Sequence, residues 1–156
     1  MSIENVDKAI VLINSHLDEA DFAGNKDERL VKLVEDYLEI TFPDSYRYFL
    51  KKLGCGDISG KEFYGVINEE KINSGIPDST WITMKHREQS NLPPKYVIIY
   101  AFGDGDYAVL NCEKNNQGNN VVEIWSPDES AFQFLSNDFG EFFMNKSNKY
   151  LINLLV

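Results

Sequence analysis

The apolar positions of the chain change rhythm twice, and those changes divide it into three stretches. In the first third they recur at helical spacing: Val6, Ile10, Ile13 and Leu17 in one run, Leu30, Leu33, Val34, Tyr37 and Leu38 in the next. Steps of three and four residues place such side chains on one helix face. A third helix is predicted to start near Pro43, since a first-turn residue has no use for the N–H that proline lacks. Asp44 adds a favourable negative charge to that turn, and Tyr46, Phe49, Leu50 and Leu53 form its apolar stripe. Gly54 ends it.

Past Gly54 the period shortens. Glu62 to Val66 reads as a short strand, and Ser79 to Gln89, with Ser79 as the cap, as a short helix. Tyr96 to Phe102 and Tyr107 to Cys112 are β-rich runs on either side of Gly103-Asp104-Gly105-Asp106, which predicts a hairpin with a tight turn. Asn115 to Asn120 is a turn by composition, and Val121 to Trp125 follows as a strand. The tail returns to helix with Phe139, Phe142 and Phe143, then Tyr150, Leu151 and Leu154. Helices first, strands together and helix last favour an α+β fold over an alternating parallel one. Without repeats or a linker, residues 1–156 read as one domain. Tyr46, Phe49, Phe139, Phe142 and Phe143 are expected in its core.

Composition narrows the class. Hydrophobic residues at 43% and charged residues at 26% exclude a disordered chain. Cys55 and Cys112 have no metal-binding spacing and are expected as reduced thiols. Met1-Ser2-Ile3-Glu4-Asn5 has no basic n-region, and no apolar run approaches membrane-spanning length, so a cytoplasmic location is expected. A net charge of −10 argues against nucleic acid and anionic membrane as partners. That charge is uneven: from Tyr100 to Met144 eight acids face Lys114 alone, a balance of −7. Two readings fit it, a solvated face that keeps the protein soluble or a surface built for a basic partner.

No active site emerges. Gly54-Cys55-Gly56-Asp57-Ile58-Ser59-Gly60-Lys61 has neither glycine spacing of a Walker loop, follows a helix, and has Glu62 where Ser or Thr is needed. Gly103-x-Gly105-x-x-Ala108 leads into strand-like residues, whereas a dinucleotide site needs a helix there. His16, near the end of the first helix, and His86, in a solvated basic patch with Lys85 and Arg87, are read as structural, and no nucleophile elbow accompanies them. Asp104 and Asp106 lack the rest of an EF-hand. No enzyme, metal or cofactor is expected.

The structural residues, taken in order, carry more information. Pro43-x-x-Tyr46-x-x-Phe49-Leu50 is closed by Gly54-Cys55-Gly56 and followed by Glu62-Phe63-Tyr64-Gly65. Leu92-Pro93, Tyr96-Val97-Ile98, Phe102-Gly103-Asp104-Gly105-Asp106, Val121-Val122-Glu123-Ile124-Trp125 and Phe139-x-x-Phe142-Phe143 complete the series. From about Glu28 to Met144 it resembles the SUKH superfamily, which includes fungal cell-wall-assembly regulators and bacterial immunity proteins. Gly54-Cys55-Gly56 departs from the Asn-Gly-Gly of many members, and the turn at Gly103 to Asp106 is shorter than in many.

The resemblance implies N-terminal helices, a central, mostly antiparallel sheet, a C-terminal helix and a binding role. The function expected from it is an immunity protein that neutralises a cognate toxin, a basic nuclease domain, through an acidic surface. The alternative is a regulatory adaptor like the fungal regulators. Asp104, Asp106, Glu123, Asp128 and Glu129 are the expected contacts, with Trp81, Tyr107 or Trp125 as aromatic anchors, although the same three aromatics also fit the core.

Overall fold

A computed structural model describes residues 2–67 and 78–152. Leu154, which the periodicity placed in the last helix, lies outside them. Five helices and seven strands occur among the described residues. They are α1 Ser2–Asn14, β1 Ala20–Phe22, α2 Glu28–Leu38, α3 Asp44–Leu53, β2 Gly56–Ile58, β3 Lys61–Phe63 and α4 Ser79–Gln89. Then come β4 Tyr96–Ala101, β5 Tyr107–Asn111, β6 Val122–Ser126, β7 Ala131–Ser136 and α5 Phe139–Leu151. The strands form one antiparallel sheet in chain order, each beside its sequence neighbours. The fold is α+β, as the order of elements predicts: α1 precedes the first strand, α2 and α3 follow β1, α4 follows β3, and α5 comes last.

Local chemistry sets the helix bounds. The Asp27 carboxylate accepts from the Leu30 N–H at 2.8 Å and opens α2. Pro43 sits one residue outside α3 rather than in its first turn. Gly54 closes α3 at φ +74°, its N–H donating to the Leu50 carbonyl at 3.0 Å. The cap of α4 is Asp78, not Ser79: its Oδ1 accepts from the N–H groups of Thr80 and Trp81. The Ser79 hydroxyl instead donates to the Ile98 carbonyl at 2.6 Å and pins α4 to β4. At α5, Asp138 accepts from the Glu141 N–H while the Glu141 carboxylate accepts from the Asn137 N–H.

The glycine-rich run that imitates a nucleotide loop forms the β2–β3 hairpin. Ser59 and Gly60 are its two turn residues, both at positive φ, the geometry of a primed turn. The expected strand at 62–66 ends its ladder at Phe63. The backbone then passes so close to α3 that a Cβ on Gly65 would lie 1.7 Å from the Gly54 carbonyl oxygen. The predicted β4–β5 hairpin forms, with Gly103 and Gly105 at positive φ and the Phe102 N–H donating to the Asp106 carbonyl.

Two apolar clusters flank the sheet. The larger joins α1, α2, α3 and α5 to one face and is centred on aromatic rings. Phe49 meets Phe139 and Phe143 with centroids 5.1 and 5.0 Å apart and stacks on Tyr46. These rings and Phe142 are buried, as their spacing predicts. A bulge at Ile99 in β4 turns Val97, Ile99 and Tyr100 toward this cluster. Tyr96 and Ile98 face the opposite, smaller cluster, where α4 packs. Gly140 lets α1 approach α5: a Cβ there would lie 2.1 Å from the Ser2 carbonyl oxygen. Two stripe residues leave the core. Leu17 lies beyond the end of α1 at 68% exposure, and Tyr37 is exposed on α2.

Candidate functional site

The strand order places the β4–β5 and β6–β7 turns at one end of the sheet. Tyr107, leading out of the first turn, pairs with Trp125, two residues before the second. Asp104 and Asp106 lie in the first turn, Asp128 and Glu129 in the second, and Asp104, Asp128 and Glu129 are exposed. The Asp104 carboxylate accepts from the Asp106 N–H at 3.0 Å, which holds the first turn in shape. Four of the five predicted contact acids therefore share one end of the sheet.

Glu123, the fifth, has a different role. It sits within β6, half-buried, and accepts from the Tyr96 hydroxyl at 2.7 Å. Burial and that bond push the Tyr96 hydroxyl above its ordinary pKa. Of the other acids in the −7 stretch, Asp138 and Glu141 are occupied at the start of α5. Glu113 follows β5, at the opposite end of the sheet.

The aromatic residues separate by depth. Trp125 is 2% exposed, so its indole lies under the surface and not on it. His86 covers one side edge-on at 5.3 Å, and Phe132 of β7 stacks on it at 6.3 Å. An anchor that reaches a partner must be reachable by it, so of the two readings open for Trp125 burial favours the core and corrects the anchor. Tyr107 and Trp81 are half-buried, and the Lys85 ammonium lies over the Trp81 ring at 5.1 Å.

The basic patch around His86 is also corrected. His86 shares hydrogen bonds with the Ser90 hydroxyl through Nδ1 and with the Tyr107 hydroxyl through Nε2. Burial, with Lys85 nearby, lowers its pKa. Arg87 donates to the carbonyls of Leu38 and Pro94, tying α4 to its surroundings. His16 lies past the end of α1, its Nδ1 2.9 Å from the Leu12 carbonyl.

Residues missed by the sequence reading complete this face. Phe132 stacks on Tyr96 at 4.8 Å, and Phe134 is 58% exposed on the same strand. Their alternation with Gln133 is a period-two signal that would have found β7. Among the described residues no group of three or more His, Cys, Asp or Glu side chains could hold a metal ion. Cys55 and Cys112 are free thiols, pushed up by burial to about 11 and about 12, which disfavours the thiolate a nucleophile needs. No described helix is long and apolar enough to cross a membrane.

An antiparallel meander between helical layers, with carboxylates gathered on two of its turns, defines an α+β protein. The chain belongs to the SUKH superfamily: residues 28–143 match the SUKH_6 family, described as SMI1-KNR4 cell-wall. No curated protein matches the chain significantly.

Proposed function

We propose that this chain is a non-catalytic adaptor that regulates by gripping another protein, in the manner of the cell-wall regulators after which its family is described. The observation that carries this reading is the pairing of Tyr107 with Trp125, which sets two acid-bearing turns side by side. Asp104, Asp106, Asp128 and Glu129 form the rim of the proposed contact, with Tyr107 beside them. The partner's surface is basic, because like charges across an interface cost several kcal/mol.

The −7 balance from Tyr100 to Met144 favours a second reading, an immunity protein that covers the cleft of a basic toxin such as a nuclease. One experiment separates the two. The chain, carrying a photo-cross-linker at Glu129, is expressed in its own cells and the captured protein identified. A resident regulatory or cell-wall component supports the adaptor. A toxin encoded next to the gene, whose lethality co-expression of this chain relieves, supports immunity. Capture that survives charge reversal at all four rim acids removes this surface from either reading.

A further inference from the structure

Strand β7 closes the sheet, paired on one side with β6 and, among the described residues, with no strand on the other. Native sheet edges are normally guarded by lysine, proline, a bulge or brevity, because unpaired backbone groups invite another strand. The opposite edge, β1, is three residues long and carries Asp21. By contrast β7, Ala131-Phe132-Gln133-Phe134-Leu135-Ser136, has six residues and neither a charge nor a proline. Its one irregularity is at Leu135, so Ala131 to Phe134 pair with β6 in unbroken register. All four are exposed. Phe132 and Phe134 project from one face of the strand, where a second apolar row would find contact.

The charge around this edge selects its occupant. Asp128 and Glu129 lie just before β7, Asp138 just after it, and Glu123 stands opposite Phe134 in β6. Between Lys114 and Lys146 the chain has no basic residue. A second copy laid antiparallel along β7 would set the Asp128-Glu129 turn of each chain beside the Asp138 end of the other. A parallel copy would put the two acidic turns together. Both arrangements bring like charges side by side.

We infer that the free edge of β7 accepts, by strand addition, an extended segment of a partner protein that alternates apolar residues with lysine or arginine. Main-chain hydrogen bonds to Ala131–Phe134 supply affinity, Phe132 and Phe134 take the apolar side chains, and the flanking carboxylates select positive charge. This deepens the protein-binding reading above and rests on it.

The test is an NMR titration of the isotope-labelled full chain with an eight-residue capped peptide alternating Val and Lys. Saturable binding is expected, with slowed amide exchange confined to Ala131–Phe134 and its immediate neighbours. The peptide with Glu for Lys is expected to leave those amides unchanged. N-methylation at alternate residues of the Lys peptide is expected to weaken binding about tenfold or more, since it removes ladder donors. Phe134→Ala, at an exposed position, is expected to weaken binding without shifting the melting temperature, and Gln133→Lys to weaken it by placing a cation on the edge.

Several results would overturn the inference: no protection of β7 at millimolar peptide, binding indifferent to N-methylation, or perturbation confined to acids elsewhere. Self-association through β7 in sedimentation would overturn it too, in favour of a second copy. A cellular partner captured at the acidic rim whose contact spares β7 defeats strand addition and leaves the adaptor reading standing. Absence of any captured partner defeats the adaptor reading itself.

Discussion

The backbone N–H of Phe42 donates to the carboxylate of Glu35 at 2.7 Å, seven residues back along the chain, and that carboxylate is almost wholly buried. Its other oxygen accepts from Arg47 at 2.9 Å, and Arg47 also reaches Glu28. One side chain thus fixes the turn between α2 and α3. Glu35→Gln keeps the shape but aims an amide N–H₂ at one of the two donors. The expected cost is roughly 2–3 kcal/mol, as for a buried charged hydrogen bond left unpaired. Urea unfolding checks it; a loss within 0.5 kcal/mol, roughly the ordinary scatter of surface variants, would mean water replaces the bond.

The aromatic residues supply a paired prediction. Phe49→Ala and Phe142→Ala empty sites in the large cluster and are expected to cost roughly 3–5 kcal/mol each. Phe134→Ala removes an exposed ring and is expected to fall within about 0.5 kcal/mol of the parent. Thermal melts of the three variants decide it. Equal losses at Phe49 and Phe134 would contradict the burial described above.

Asp78 gives stability a pH dependence of unusual sign. Burial pushes its carboxyl from 3.8 up to about 6, against the pull of the Trp81 and Thr80 N–H groups. Between about pH 4 and pH 6 the native state binds this proton more readily than the unfolded chain does. Its contribution is therefore present at low pH and lost as pH rises through 6, by on the order of 3 kcal/mol. Asp78→Asn keeps a capping oxygen and cannot titrate. Unfolding free energies of both proteins from pH 4 to pH 7 should differ by a slope that vanishes above about pH 7. Parallel curves would show that Asp78 titrates normally.

The acidic rim should set association rate more than stability. Asp128→Lys with Glu129→Lys is expected to leave the melting temperature nearly unchanged, since both side chains are exposed. Association with the captured partner should slow about tenfold at low salt, and its dependence on ionic strength should flatten. Stopped-flow rates at two salt concentrations measure both quantities. Unchanged rates and slopes would move the contact elsewhere.

The sequence was most informative where structure depends on near neighbours. Pro43, Asp44 and Gly54 announce α3, and the Gly103–Asp106 turn between β-rich runs announces its hairpin, because caps and turns are decided within a few residues. Strands β1 and β2 escaped notice: Ala20-Asp21-Phe22 and Gly56-Asp57-Ile58 are too short for periodicity and are defined by pairing with each other. Missing β7 had a larger consequence, since Phe132 is what covers Trp125. Without that strand the tryptophan fits an anchor and a core position equally. Likewise the acids of the two turns are visible in the composition, but their shared end of the sheet follows only from strand order. Asp138 and Glu141 counted toward the charge although both are committed to the start of α5.

The close approach of α1 to α5 at Gly140 bears on how the chain folds. Every strand pairs with a sequence neighbour, and β2–β3 and the run from β4 to β7 can assemble hairpin by hairpin with short loops, whereas β1–β2 and β3–β4 close over intervening helices. Docking Ser2 on Gly140 instead joins residues separated by 138 positions. Closing a loop of that length from a free chain costs on the order of 4 kcal/mol of chain entropy. The cost shrinks once the meander has shortened the path, which places this docking late. Helix α1 also lies outside the 28–143 match, so its docking on α5 adds contacts to those of the matched part. Interactions formed after the rate-limiting step slow unfolding and leave folding untouched. Ala9→Gly, which loosens α1 where it is buried, should accordingly quicken unfolding while the refolding rate stays the same.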